Sequence, residues 1–385
     1  MTSRQIVQAL FLDAGPQMQC GVGQFALRLC GTIETIAPGS TAALTLTGQH
    51  GSIGAIRQAV NDASNVVCNF PIVAWKRVLL KPLLALAVAR LCKRRVILIQ
   101  HEWAGLHPLR RLTYLPALWL ADRIVMFSPL VAKELADDPL ARRTRHKVVL
   151  APLPPNIAAP AGTADSPLRE RLATAHAAGR PVIGHFGSIY PGKQPNALLE
   201  IGAALARRGV KPLIVYIGSF IRGMDNVESE FYARAAELGL KDDVIVSGFI
   251  ASDAEVFGLL EQVDAFCYPL SEGLTARRSS ILACVQSGRP LIVTGPADAG
   301  EFNRHPRFKA LIDRGAIVLV PRGADEAAYA DAIMTAIDRP ASQVPFDFDG
   351  WWQDVAQAVR AQFAPMLRAT ESGPGNAGQT PPAGT

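Results

Sequence analysis

Residues 182–193 read VIGHFGSIYPGK and residues 268–294 read YPLSEGLTARRSSILACVQSGRPLIVT, and these two stretches decide the fold. Each starts as an apolar run typical of a buried strand and continues into a loop containing glycine and proline. The first loop ends in Lys193, and the second carries the pair Arg277 and Arg278. Open α/β sheets bind ligands at the carboxyl ends of their strands. We therefore expect these cations, with a helix N-terminus, to form a site suited to a diphosphate.

Strand and helix patterns alternate along the rest of the chain. The apolar runs predicted as strands are continuous, which indicates sheets covered by helices on both faces. A Pro- and Ala-rich segment at 156–168 interrupts the alternation and is interpreted as a linker. We therefore predict an α/β protein of two Rossmann-like, doubly wound domains, residues 1–155 and 169–345, that face a central cleft.

The C-terminal region divides into two different segments. Residues 350–368 carry an apolar stripe at helical spacing that includes Trp351 and Trp352, so we predict a buried amphipathic helix. Residues 370–385 are rich in glycine, proline and threonine and have no apolar anchors. We predict that this tail is disordered.

Charge is unevenly distributed along the 385 residues. The formal net charge is +6, and much of the excess lies at residues 76–95 and 110–147. Two alternatives remain for these clusters, a solvated surface and contact with an anionic membrane. The overall charge is too mild to require nucleic acid, so no nucleic-acid partner is expected.

Cysteines and apolar runs indicate the compartment. The six cysteines form no CxxC pair and lie in apolar contexts, which predicts buried, reduced thiols. No signal peptide is visible, and the longest apolar run, at residues 78–92, is shorter than the roughly 20 residues that cross a bilayer. We expect a cytoplasmic protein, at most peripheral at the inner face of the cytoplasmic membrane.

Further candidate residues follow predicted strands. Gly21 and Gly23 fit either a loop that approaches a ligand or an ordinary tight turn. Gly187 would allow a ligand to approach the backbone closely. His101 ends a core strand and either faces the cleft or is structural. Glu272 either caps the next helix or hydrogen-bonds a sugar hydroxyl.

The segment after Glu272 precedes a helix predicted at 276–287. The amides there are expected to be unpaired donors at the positive end of the helix dipole. Arg277 and Arg278 in the first turn are locally unfavourable, and an anionic ligand would explain them. The alternative is a pair of surface arginines without a ligand.

Asp347-Phe348-Asp349 matches the DxD pattern that binds a divalent metal with a nucleotide diphosphate in some transferases. The motif directly precedes the last helix and lies far from any strand end. We therefore interpret Asp349 as a helix N-cap and expect no metal ion.

These motifs together resemble the retaining GT-B glycosyltransferases of family 4. GVGQFALRL resembles that family's glycine loop, QHE its strand-end histidine and GSIYPGKQPNALLEI its phosphate-lysine loop. The resemblance covers nearly everything from Ile6 to Arg368. It implies a donor, a nucleotide-diphosphate sugar, held mainly by residues 169–345, with no further cofactor. It also implies that the last helix packs back on the acceptor-side domain.

The resemblance also implies roles for individual residues. Lys193 would bind the diphosphate, and Gly273 and Leu274 would present their amides to it. Glu272 would contact the donor sugar, and His101 would lie near that sugar from the other domain. The remaining donor-binding residues are two loop glycines, a strand-end glycine, a residue beside the base and the arginine pair: Gly21, Gly23, Gly187, Ile250, Arg277 and Arg278.

The chain departs from the family pattern at two places. Ser188 and Ile189 stand where an arginine is usual, and Ala283 stands where a second glutamate is usual. We expect Arg277 and Arg278 to replace the missing phosphate cation, which leaves the ribose contact unassigned.

The leading prediction is a retaining, metal-independent glycosyltransferase of the hexosyltransferase type. Its acceptor would be a glycan or lipid-linked glycan, in bacterial surface polysaccharide or lipopolysaccharide synthesis. The alternatives are a catalytically silent GT-B scaffold subunit, which the missing glutamate motivates, and a nucleotide-sugar epimerase.

Overall fold

Two parallel six-stranded sheets, each flanked by helices, form the protein in a computed structural model. The structure describes residues 6–13, 21–46, 51–72, 75, 80–221, 226–339 and 344–366. The predicted α/β fold with two doubly wound sheets is confirmed. The predicted disordered tail, residues 370–385, lies outside the described residues.

The first sheet has the strand order β2-β1-β3-β4-β5-β6. Its central strand β3 is buried at every residue, as the continuous apolar runs predict. Chain order is β1 (Val7–Asp13), α1 (Gly21–Ile36), β2 (Thr41–Thr45), α2 (Ile53–Asn61), β3 (Ala63–Phe70), α3 (Leu80–Leu91), β4 (Arg95–Gln100), α4 (Pro108–Leu120), β5 (Arg123–Met126), α5 (Pro129–Asp137), a 3-10 turn (Arg142–Lys147) and β6 (Val148–Leu150).

The second sheet has the order β12-β11-β10-β7-β8-β9. From β7 the strands are added first on one side, as β8 and β9, and then on the other side, as β10, β11 and β12. The switch point therefore lies between β7 and β10, and such a point opens a crevice at the carboxyl ends of the strands. Chain order is α6 (Pro167–Ala177), β7 (Val182–Phe186), a 3-10 turn (Pro191–Lys193), α7 (Pro195–Arg207), β8 (Leu213–Ile217), α8 (Val227–Glu237), β9 (Val244–Val246), α9 (Asp253–Leu260), β10 (Ala265–Tyr268), α10 (Ser279–Gln286), β11 (Leu291–Thr294), α11 (Pro306–Asp313), β12 (Ile317–Val320) and α12 (Glu326–Ile337).

The last helix, α13 (Phe348–Arg360), contacts both halves of the molecule. Trp352 packs against Phe25 of α1, with ring centroids 5.3 Å apart, and its indole nitrogen donates to the Pro155 carbonyl at 3.0 Å. Trp351 belongs to the core of the second half and stacks on Phe346.

The helix is shorter than the predicted span 350–368. Residues 361–366 leave the helix, and the Ala364 amide donates to the Asn65 side chain at 2.7 Å instead of back into the helix. A following proline, Pro365, cannot continue a helical hydrogen-bond ladder.

Two further observations concern the thiols and the bilayer. The described cysteines are all unpaired, and Cys68, Cys267 and Cys284 are buried. Cys30 and Cys92 are only partly buried, which corrects the prediction for these two, because they lie on or next to helices that border solvent. Among the described helices, none has the length and apolar character needed to span a bilayer.

Candidate active site

A cleft of about 1150 Å³ lies between the carboxyl ends of the two sheets. Both halves contribute to its walls, as the fold prediction requires. The first half provides Gly21, Arg28, His101, Glu102 and Arg110, and the second provides Gly187, Gly218, Phe249, Ile250, Arg277 and Ser279.

Lys193 lies behind the cleft wall in the 3-10 turn after β7, and only 7% of it is exposed. Gly187 adopts a φ of +109°, and a Cβ at that position would lie 2.9 Å from the Lys193 ammonium nitrogen. The positive φ favours glycine at this position, and the lack of a side chain leaves the space that the end of the lysine occupies. Burial to this extent means that Lys193 is not a solvated turn residue.

The electrostatic environment of Lys193 disfavours its charge. Burial, and secondarily the positive charge of Arg278, lower the pKa of Lys193 to about 8. Among the described residues, no carboxylate lies within ion-pair distance of its ammonium group. An ammonium held in this way is ready to accept an anionic partner.

Arg277 and Arg278 share one carboxylate. Arg277 donates to both oxygens of Glu272 at 3.0 and 3.1 Å, and Arg278 also donates to Glu272. The Arg278 side chain is only 10% exposed, so it is not a surface arginine. Glu272 is thus engaged by the arginines and does not cap the helix.

The helix after the arginines starts later than predicted. It begins at Ser279, and Arg278, whose backbone is not helical, occupies the N-cap position. The arginines therefore precede the first turn instead of lying within it. The N-cap still lies at the positive end of the helix dipole, and the Glu272 carboxylate offsets part of the arginine charge there.

The amides of Gly273 and Leu274 are already paired, so the prediction that they are unpaired donors is wrong. Gly273 N donates to Leu270 O at 3.2 Å, and Leu274 N donates to Thr294 O at 2.9 Å. Gly273 has a φ of +79°, and a Cβ there would lie 2.1 Å from the Gly295 carbonyl oxygen. The physical reason is that this segment turns tightly against the end of β11 and uses its amides for that turn.

His101 lies on the opposite wall, at the end of β4. Its Nε2 lies 3.3 Å from Asn69 Oδ1, and its ring packs edge-to-face with Phe25 and in a tilted arrangement with Phe127. Burial lowers the pKa of His101 to about 3 because the charged form is poorly solvated there. The imidazole is therefore neutral at physiological pH and offers hydrogen bonding without charge.

The remaining predicted residues divide between the cleft wall and its support. Gly21 lines the cleft at the start of α1, whereas Gly23, two residues further into that helix, is buried. Ile250 lines the cleft beside Phe249, an aromatic ring that is 74% exposed.

Two cleft residues were missed in the sequence. Arg28 lies over the rings of Phe348 and Trp352, at 5.0 and 5.7 Å from their centroids. Its spacing of seven residues from Gly21 places both on one helix face, a signal that could have identified it. Phe249 carries no comparable signal, because its exposure depends on the turn after β9.

Glu301 connects the two halves beside the arginine loop and is only 2% exposed. Its Oε1 accepts hydrogen bonds from the Ser128 hydroxyl at 2.7 Å and from the Ala276 amide at 2.9 Å. Ser128 is the N-cap of α5, and the Leu130 backbone also hydrogen-bonds the carboxylate. Burial raises the pKa of Glu301 above its ordinary value, although these hydrogen bonds oppose the shift.

The DxD segment caps the last helix, as predicted, but the N-cap residue of that helix is Asp347 and not Asp349. Asp347 accepts from the Gly350 amide at 3.0 Å and pairs with Arg307 at 2.7 Å. The helix begins at Phe348, earlier than predicted, so the first aspartate occupies the capping position. Among the described residues, no group of three or more His, Cys, Asp and Glu side chains is placed to hold a metal ion.

Two doubly wound parallel sheets that face a cleft define the GT-B fold, which is known from glycosyltransferases. Anabaena Alr3699/HepE, solved with UDP, has this fold, with a TM-score of 0.56 and 14% identity over 93% of this chain and 96% of that one. The lipopolysaccharide outer core galactosyltransferase WaaB gives 0.54 at 13% identity, covering 92% of this chain and 100% of that one. Sucrose-phosphate synthase from Thermosynechococcus elongatus gives 0.52 at 13% identity, covering 92% and 94%. No protein-family model and no curated protein sequence matches the chain.

Proposed function

We propose that the protein is a glycosyltransferase that binds a nucleotide-diphosphate sugar in the cleft. It transfers the sugar with retention to a glycan or lipid-linked glycan, in bacterial surface polysaccharide or lipopolysaccharide synthesis. Peripheral contact with an anionic membrane leaflet is part of the proposal. The observation that carries it is the group of buried and half-buried cations beside Gly187 at the carboxyl end of β7.

The charges of this group match a diphosphate. Lys193, Arg277 and Arg278 bring three positive charges, and Glu272 compensates one of them. Two positive charges are left for the two negative charges of a nucleotide-diphosphate sugar. The leaving nucleotide diphosphate gains a further negative charge during transfer, so preorganised cations stabilise the transition state more than the ground state.

In this proposal Glu272 orients the two guanidinium groups, because its carboxylate already accepts from both. His101 contributes a neutral hydrogen-bonding group beside the donor sugar, since its pKa of about 3 keeps it uncharged. The exposed ring of Phe249, next to Ile250, offers a face for the nucleobase.

The donor to test first is a UDP-sugar, because HepE was solved with UDP and with UDP-glucose. We expect Lys193→Ala and the double change Arg277→Ala/Arg278→Ala each to weaken UDP binding. Loss of one charge-assisted phosphate contact costs about 1.5–3 kcal/mol, which corresponds to roughly ten- to a hundred-fold in affinity. Lys241→Ala, an exposed lysine of the second half, is the matched control. Wild-type affinity in both site variants by calorimetric titration would refute the phosphate site.

Turnover then separates the candidate functions. Nucleotide release from UDP-, GDP- and ADP-sugars that rises with an acceptor supports a transferase. Sugar isomerisation without release would indicate an epimerase. The absence of both activities would favour the silent scaffold. One observation supports this candidate: Ala283, where the family pattern has a glutamate, is completely buried in α10.

We also propose that transfer needs no divalent metal, because lysine and arginine supply the positive charge. Activity should survive a chelator. Activity that a chelator abolishes and manganese or magnesium restores would contradict this, and would return Asp347 and Asp349 to consideration.

A further inference from the structure

Helices α3 and α4 turn apolar side chains toward solvent as well as toward the core. On α3 the exposed leucines recur at intervals of four and seven residues, and on α4 the exposed residues recur at three and seven. These spacings form one straight stripe along each helix. The residues are Leu80, Leu84 and Leu91 on α3, and Leu109, Leu112 and Trp119 on α4.

The two stripes lie side by side. The inward faces of both helices belong to the same core cluster, which includes Leu86 of α3 and Leu118 of α4. Arg90, near the end of α3, forms an ion pair with Asp122, just after α4. Both helices connect neighbouring parallel strands, so they run in the same direction.

Basic residues predominate in the part of the chain that forms this apolar surface. Neither α3 nor α4 contains an acidic residue. Residues 76–147 hold fifteen lysines and arginines against five aspartates and glutamates, an excess of ten in a chain whose whole net charge is +6. Lys147 donates to the Trp119 carbonyl at 2.9 Å, which places the basic 3-10 turn at the end of the α4 stripe.

We propose that this surface, the two stripes together with the exposed arginines of the 3-10 turn, docks on an anionic lipid bilayer. We name it the α3–α4 face. Its leucines and Trp119 would enter the boundary of the acyl chains, and Arg142, Arg143 and Arg145 would contact the headgroups. The charge excess argues for lipid, because an anionic leaflet attracts a surface on which basic residues far outnumber acidic ones, whereas the core of a protein interface is depleted in charged residues.

The α3–α4 face ends at the mouth of the cleft. Arg110 lines the cleft, and its neighbour Leu109 is 68% exposed on the face. A docked molecule therefore holds its cleft next to the bilayer, where an acceptor with a lipid anchor would arrive. This consequence rests on the proposed function, whereas docking itself is measured without nucleotide.

Vesicle flotation tests the proposal. The full chain should bind vesicles that contain 30% phosphatidylglycerol, bind phosphatidylcholine vesicles weakly, and dissociate as salt is raised. Each basic residue near an anionic leaflet contributes about fivefold in binding, so Arg142→Glu/Arg143→Glu/Arg145→Glu should lose at least about a hundred-fold. Leu84→Ser/Leu112→Ser should weaken binding to both kinds of vesicle.

The control reverses three exposed charges of the second half, Arg171→Glu/Lys241→Glu/Lys309→Glu. It should keep most of the binding, because these residues lie outside the α3–α4 face. The proposal is overturned if the control and the arginine variant lose vesicle binding equally. It is also overturned if the wild-type chain does not bind anionic vesicles, the result expected when the partner of this face is a protein. UDP affinity is measured in the same variants, so a failed nucleotide site and a failed docking surface give different results.

Discussion

Removal of the Glu301 carboxylate should loosen two parts of the structure at once. These are the contact between the two halves of the molecule and the loop that carries Arg277 and Arg278. The carboxylate accepts from the Ser128 hydroxyl, the Ala276 amide and the Leu130 backbone. In Glu301→Ala these three donors lose their acceptor in a buried place. Glu301→Gln keeps an amide oxygen for Ser128 and Ala276 but has one acceptor oxygen fewer, because its NH₂ group can only donate.

The magnitude follows from these contacts. A buried donor without an acceptor lowers the free energy of unfolding by about 1–3 kcal/mol. Part of this loss is offset, because the variant no longer has to bury a carboxylate away from water. We expect Glu301→Ala to lower the free energy of unfolding by about 2–4 kcal/mol. Glu301→Gln should cost about 1 kcal/mol.

The pH dependence gives an independent check. Burial raises the pKa of Glu301 in the folded protein, so between its unfolded and folded pKa values the native state binds more protons. Its contribution to stability is therefore complete at acidic pH and declines as pH rises through the folded pKa. Glu301→Gln cannot titrate and should lack this decline.

Urea unfolding followed by tryptophan fluorescence, from pH 4.5 to 8, measures both effects. Calorimetric titration with UDP adds the functional readout, because Ala276 directly precedes Arg277 and a loosened loop should bind UDP more weakly. The reasoning is refuted if Glu301→Ala unfolds at the wild-type urea concentration throughout this range. It also fails if the glutamine and alanine variants are equally destabilised.

Two further predictions concern Lys193 and the last helix. Because the pKa of Lys193 is about 8 and only its charged form attracts phosphate, UDP affinity should fall about tenfold from pH 7 to pH 9. Calorimetry should show proton uptake on binding near pH 8, and a flat affinity profile would contradict the assignment. A chain ending at Thr370 should keep the wild-type melting temperature, whereas one ending at Phe348 loses two buried tryptophans, at about 3–5 kcal/mol each, and should melt lower and lose activity. Equal melting temperatures for the two truncations would show that this helix is not docked.

Local patterns were sufficient to predict the fold and part of the site. Continuous apolar runs identify buried parallel strands, and their order along the chain predicts two doubly wound sheets. Lys193 and the arginine pair were identified because they lie in the loops that follow buried strands, and the structure brings Arg278 close enough to Lys193 to lower the pKa of the lysine. Ligand roles for these residues remain predictions.

Long-range contacts explain what the sequence could not show. The amide of Leu274 pairs with Thr294 on a neighbouring strand, and no local pattern predicts that bond. Glu301 accepts a hydrogen bond from Ser128, which lies 173 residues earlier in the chain, and the sequence around Glu301 contains no motif. The N-cap at Asp347 was missed because helix boundaries shift easily by one or two residues.

The adjacent tryptophans of α13 have a consequence for the way the molecule can move. Successive side chains on a helix point about 100° apart, and here one ring is inserted into each of two separate cores. The halves cannot slide past each other without withdrawing an indole from its pocket. A rotation of one half about the axis of this helix would displace one ring as well, because both rings project from the same helix. The helix therefore couples the two halves, and any change in the width of the cleft must either bend α13 or repack one of these rings.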